Sequence, residues 1–376
     1  MEDEAIEIRR VTDAGGSVIP ELPFEQIEHN AVSAETIAEI RRRGCVVIRG
    51  VFPRDTAERW NRELGEYLAT NDYHDRLNAG VADDFFDSVS FGNPQIFDIY
   101  WSRPQVLARQ AESMALTKRF LNGLWDVDAP AGPEFDPGHD YVYADRIRRR
   151  DPGDSTLGLA PHIDTGSFER WVDPAYRAIY ANLFSDDWTS YDPWRAAHRT
   201  QTREFDSATV CSAFRTFQGW TALTTQGPHT GTLRLLPLVD GIAHVLLRSL
   251  QPDVADDELL LAEPGRVLGA DDASHPELMH GMVSIPEVGP GDTVWWHPDV
   301  IHGVEDEHQG MEQANVMYIA ATPRCPKNLM YARQQAAHFL DGRSSPDFKP
   351  RDFEVAFSGR ATVDDLTELG RAQMAI

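Results

Sequence analysis

From about residue 140 the chain stops repeating its apolar residues at helical spacing. It becomes a series of short β-forming runs broken by glycine and proline turns. The runs are Tyr141–Ile147, Phe214–Leu223, Gly231–Leu238, Met282–Ile285, Thr293–His297 and Val316–Ala321. Short strands separated by turns predict a sandwich or barrel. The earlier part reads differently. Ser33–Arg43 is a short helix with Ile37 and Ile40 on one face and Gly44 at its end. Cys45–Ile48 follows as a buried strand. Asp55 and Glu58 have the spacing of a capping box, ahead of a stripe of Trp60, Leu64, Tyr67 and Leu68. Pro104 opens a third helix carrying Leu107, Ala111, Met114, Leu121 and Leu124. Such stripes are core packing. The expected architecture is α+β with a mainly β core and flanking N-terminal helices. It reads as one unit, residues 1–376: a helical part to about 135, a β core from about 136 to 325, and an extension over 326–376. A polar insertion near 185–207, with Trp188, Tyr191 and Trp194, has the length of a segment that covers an active site.

Charge and cysteine usage narrow the function classes. Lys and Arg number 35 against 60 Asp and Glu, a formal charge of -25. A polyanion would be repelled over most of that surface, so nucleic acid is not an expected partner. Cys45, Cys211 and Cys325 form no C-x-x-C pair and suit a reducing compartment. Met1-Glu2-Asp3-Glu4 is acidic and no apolar stretch follows it, so no signal peptide is expected. No run of about 18 apolar residues exists to span a membrane. A cytoplasmic chain acting on a small molecule is the expectation; oligomeric state is not encoded legibly.

The chemistry concentrates at Pro161-His162-Ile163-Asp164. On a strand, residues i and i+2 share a face, so His162 and Asp164 can offer an imidazole nitrogen and a carboxylate oxygen to one ion. Two histidines and one carboxylate suit Fe(II) and leave positions open for substrate and O2. H-x-D alone is a weak pattern, and a second copy occurs at His297-Pro298-Asp299. Order separates the two. Several strands follow Asp164 before the next histidine-bearing strand, whereas about one strand is legible after Asp299. His74, His198 and His338 receive no role.

The later segment runs Gly289-Pro290-Gly291-Asp292, a tight turn, into an apolar strand and on to His302-Gly303. Here the sequence resembles the Fe(II)/2-oxoglutarate-dependent oxygenases with a double-stranded β-helix (jelly-roll, cupin-like) core, and among them the phytanoyl-CoA hydroxylase type. The closer likeness is to the YbiU-like group, domain of unknown function 1479. It rests on Ala144 to Arg150, on Pro161 to Asp164, on Phe214 to Leu223 and on Val300 to Glu307. The resemblance implies His302 as the third iron ligand, with His297 a neighbouring structural residue. It implies hydroxylation of a substrate C–H bond, with 2-oxoglutarate and O2 converted to succinate and CO2.

In that superfamily an arginine inside the barrel meets the distal carboxylate of 2-oxoglutarate, because a planar guanidinium gives two parallel charge-assisted bonds. The pattern usually places it early in the last strand. Here Glu312 to Val316 contains no basic residue. Arg324 lies too far along. Arg215 is the first candidate, with Thr221 on its face by parity; Arg146 and Arg148 are the next. Phe168, Trp171, Trp188 and Trp220 are candidate pocket walls. The missing late arginine keeps in view a cupin-like metal enzyme that does not use 2-oxoglutarate; the alternative from another class is a non-catalytic jelly-roll binding protein, against which the intact ligand set argues.

Overall fold

The computed structural model describes residues 1–78, 94–129, 132–155, 159–164, 168–205, 210–255, 257–258, 260–262 and 265–376. In chain order its strands are β1 (Glu21–Pro23), β2 (Cys45–Arg49), β3 (Ile96–Phe97), β4 (Asp136–Tyr141), β5 (Ile147–Arg150), β6 (His162–Ile163), β7 (Phe217–Ala222), β8 (Leu233–Leu235), β9 (Leu268–Gly269), β10 (Val283–Ser284), β11 (Thr293–Trp296), β12 (His302–Val304) and β13 (Ala314–Arg324). They build two sheets. The larger runs β1-β2-β11-β7-β13-β5-β3, with β4 on the far end of β13; the smaller runs β10-β8-β12-β6-β9. Only the β1–β2 pairing is parallel among the described ladders.

Alternation along the large sheet sorts its side chains into two cores. Val46, Ile48, Phe217, Trp295, Met317 and Ile319 pack outward against the N-terminal helices, meeting Ile40, Trp60, Leu64 and Leu68. Val47, Trp220, Val294, Trp296 and Val316 point the other way, toward Ile163, Leu233 and Leu235 of the small sheet. The result is a mixed α/β arrangement of helices, large sheet and small sheet. The candidate site lies between the sheets. Among the described residues no helix is long and apolar enough to cross a membrane.

The helix before β2 forms as the sequence indicates. Ser33 accepts from the Thr36 amide, and Gly44 closes the helix at φ +65. A Cβ on Gly44 would also stand 2.7 Å from Val300 Cγ2, so the turn and its packing both require glycine.

Other expectations are corrected. Asp55 does not cap its helix, which begins at Arg54 without a side-chain cap; Glu58 instead pairs with Arg54 at 2.8 Å. The helix opened by Pro104 is two, Arg103–Arg109 and Glu112–Asn122. The break comes at Gln110, whose buried side chain bonds the Thr367 amide and the Asp365 carbonyl of the C-terminal segment. Leu107 is exposed. Tyr141–Ile147 is a bend between β4 and β5, because Gln335 takes the Ala144 amide and the Val142 carbonyl. The strand expected at Phe214 starts at Phe217, since Asn328 clips both the amide and the carbonyl of Phe214. Conversely, the last strand is longer than Val316–Ala321 and reaches Arg324.

The C-terminal segment is tied in through Glu354. Its buried carboxylate accepts from the Tyr100 amide (2.6 Å), the Trp101 amide (3.0 Å) and the Tyr67 hydroxyl (2.8 Å). Glu354→Ala strands these donors, each at a cost of about 1–3 kcal/mol. We expect urea unfolding to show a loss on the order of 3 kcal/mol.

Candidate metal centre

The site begins with a register. β6 is only His162 and Ile163, and in its antiparallel pairing with β12 the partner of His162 is His302. Directly opposed residues on one face hold their Cβ atoms about 4.5–5.5 Å apart, so the two imidazoles must meet. Their ring centroids are 4.3 Å apart. Asp164, just past β6, turns Oδ1 to within 3.3 Å of His162 Nε2 and 4.0 Å of His302 Nε2. The ligand atoms of His162, Asp164 and His302 all lie within 4.8 Å of one another, close enough to hold one ion. Gly303 makes room for this: a Cβ there would stand 3.0 Å from the Pro161 nitrogen.

Both imidazoles are pre-oriented. His162 Nδ1 donates to the Ala160 carbonyl at 2.7 Å, and His302 Nδ1 donates to the Val300 carbonyl at 3.1 Å. Each bond spans two residues and leaves Nε2 facing the centre, which fixes the ring as a metal ligand needs. Burial pushes His302 down to about 4, helped by the charge of His162. For His162 burial acts the same way and is the largest single effect, but the hydrogen bond and charge of Asp164 with the Ala160 carbonyl together outweigh it and the net shift is upward. Burial alone would raise Asp164; His162, His302 and Arg215 hold it well below the usual carboxylate range. A cation entering here competes with a proton on His162.

The carboxylate of Asp164 is shared out by oxygen. Oδ1 faces the histidines, while Oδ2 is 3.6 Å from Arg215 Nη2. Arg215 lies ahead of β7 rather than on it, and its guanidinium sits over Tyr143. Thr221 does not join it. Its parity places it on the outer face of β7, opposite Thr293, and it does not line the cavity.

A cavity of about 640 Å³ opens between the sheets and includes the triad in its wall. Arg146, Arg148, Arg215 and Trp220 line it. Arg146 is engaged elsewhere, 3.4 Å from Asp145, 3.8 Å from Asp98 and over the Phe348 ring. Arg148 is buried, its Nη2 bonds Gln95 Oε1 at 3.2 Å, and its Nε has no partner among the described residues. Trp171 packs on Tyr176 and Tyr180, away from the cavity, and Trp188 is exposed. The Phe168 side chain falls outside the described residues. Sequence reading missed Gln218 and Trp296, which face the cavity beside Trp220; strand parity was the signal that could have found them.

The second H-x-D copy has another job. His297 and Asp299 are fully buried. His297 stacks on Trp125 at 4.6 Å, and burial pushes it down to about 3, so the ring stays neutral. Asp299 accepts from Arg199 Nη2 at 2.6 Å, Tyr180 at 3.0 Å and Tyr191 at 3.3 Å. Tyr191 and Arg199 belong to the insertion, so this carboxylate pins it to the loop leading into His302.

The whole chain, residues 1–376, matches the Gig2-like family. It is 44% identical over 372 residues to the uncharacterised protein YbiU of Escherichia coli, covering 98% of this chain and 88% of that one. A Salmonella typhimurium LT2 protein, described provisionally as an oxidoreductase, is 43% identical with a TM-score of 0.93, covering 100% of this chain and 90% of the other. The GlcNAc Inducible Gene 2 protein of Candida albicans is 28% identical with a TM-score of 0.83, covering 99% and 84%.

Removing one partner of a buried ion pair leaves an uncompensated charge and costs about 3–5 kcal/mol. Arg199→Met should therefore destabilise the fold by about that amount in urea unfolding. His297→Ala should lower the melting temperature yet leave divalent-metal binding at the triad intact by calorimetry.

Proposed function

We propose, starting from the fact that this chain belongs to the Gig2-like family, that it is an Fe(II)- and 2-oxoglutarate-dependent oxygenase. One observation carries the reading: two pre-oriented imidazoles and one carboxylate converge on the wall of a cavity large enough for co-substrate and substrate. The donor set of two nitrogens and one oxygen fits Fe(II) and leaves its remaining positions toward the cavity. His162, Asp164 and His302 would hold the metal. In this reading the two facing sheets form a double-stranded β-helix, and the provisional oxidoreductase description of the Salmonella relative agrees with it.

When bound, iron with 2-oxoglutarate and O2 supplies an oxidant for an unactivated C–H bond; substrate, 2-oxoglutarate and O2 give hydroxylated substrate, succinate and CO2. The protein's own part is placement. Nδ1 bonds to Ala160 and Val300 keep both histidines aimed. Arg215 pairs with Oδ2 of Asp164 and so would leave Oδ1 to the ion. Arg148 is a cavity arginine with no carboxylate within ion-pair distance among the described residues, and burial lowers its pKa. A buried unpaired guanidinium needs an anion, so Arg148 takes the distal carboxylate of 2-oxoglutarate ahead of Arg215 and Arg146.

A second reading, a cupin-like metal enzyme without 2-oxoglutarate, is favoured by one observation. The inward positions of β13 — Val316, Tyr318 and Ala320 — carry no basic residue. Anaerobic titration separates the two. Addition of Fe(II) and then 2-oxoglutarate should give a weak visible charge-transfer band; iron binding without that band supports the cupin, and no metal binding sinks both.

Three variants, His162→Ala, Asp164→Ala and His302→Ala, should lose Fe(II) binding and succinate release while keeping the circular dichroism of the native fold. Arg148→Met should raise the 2-oxoglutarate requirement about 10–100-fold, the worth of a charged hydrogen bond. An unchanged requirement would return the role to Arg215 or Arg146.

A further inference from the structure

Gln218 on β7 and Trp296 on β11 are direct cross-strand partners, and both face the cavity. Both are buried, at 5% and 4% exposure. The Gln218 carboxamide nitrogen and the Trp296 indole nitrogen have no hydrogen-bond partner among the described residues. Among the described residues that line the cavity, Arg148 shares that condition at Nε. Buried polar groups in native proteins are normally bonded, so each such group calls for an absent partner. An indole N–H and a guanidinium can only donate, and a carboxamide can present its NH2. The cavity wall therefore offers donors without matching acceptors.

These donors fall into two places. Arg148 is level with Val316 on β13, whereas Gln218 is level with Ala320. Four residues of strand separate those levels, about 13 Å at the rise of a β-strand. The Trp296 ring is 5.2 Å from that of His302, so the Gln218–Trp296 pair belongs to the metal end. Across from it, Ala320 contributes only a methyl group and leaves space beside the amide.

We propose that Gln218 and Trp296 form a two-donor subsite for a carboxylate oxygen held beside His162, Asp164 and His302. The proposal rests on the oxygenase reading and sharpens it: Arg148 receives one carboxylate of 2-oxoglutarate, and Gln218 with Trp296 receives the other. A neutral ligand lacking that carboxylate would leave both donors bare.

The test is an anaerobic titration of the Fe(II)-loaded full chain with 2-oxoglutarate, followed by the visible band, in wild type, Gln218→Met, Gln218→Glu and Trp296→Phe. Fe(II) affinity is measured separately by calorimetry, and thermal melts check folding. The Met variant keeps the side-chain length and loses only the amide, so it guards against misfolding. Gln218→Met and Trp296→Phe should weaken 2-oxoglutarate about tenfold. Gln218→Glu should weaken it further, because it sets a carboxylate against a carboxylate, and Fe(II) affinity should stay within about twofold. An unchanged dissociation constant in all three variants overturns the subsite, assigns these donors to ordered water and leaves the oxygenase reading standing. Failure of wild type to bind 2-oxoglutarate overturns both.

Discussion

The placement of His162 opposite His302 is the constraint on which the centre depends. β6 is two residues long and β12 three, so neither strand could hold a position alone. They are held as the middle of the small sheet, with β9 on one side and β8 on the other. A slip of one residue would send His302 to the opposite face and replace it with Gly303 or Ile301. The apolar side chains that fix the register, Ile163, Leu233 and Leu235, are the same ones that close the inter-sheet core. Metal-site geometry and core packing are one problem with one solution.

Buried charge is placed with the same economy. Asp299 would be intolerable at full burial without its donors, and it gets them from a helix and from the insertion. The insertion is thereby held against the loop that delivers His302. A small pocket of about 50 Å³ joins the two regions, lined by Asp164 and Arg215 on one side and Tyr180 and Arg199 on the other. No described residue of the insertion lines the larger cavity.

Local pattern succeeded where a single element decides its own form. The helix of Ala34–Arg43 has its cap, its stripe and its glycine stop in sequence, and it forms accordingly. Pattern failed where a distant side chain takes a backbone group. Gln335 and Asn328 each take amides and carbonyls that the pattern would assign to a strand. Those bonds reach across more than a hundred residues, and no window on the sequence contains both partners. Thr221 failed for a related reason: with β7 starting at Phe217, the even positions look inward, and Arg215 is not on the strand that parity was counted along.

The sequence by itself determined the donor chemistry. A histidine and an aspartate two apart, and a later His-Gly after an apolar strand, are local facts that name the residues able to meet one ion. It also ranked the two H-x-D copies, because chain order limits which strands can follow. The tertiary structure alone decided which groups face that ion and which are left wanting a partner. Arg146, Arg148 and Arg215 are equivalent as letters. Only packing pairs Arg146 with Asp145, sets Arg215 against Asp164 and leaves Arg148 buried without a carboxylate among the described residues. The physical reason is that a charge's role is set by its neighbours and its burial, and both are properties of the folded chain.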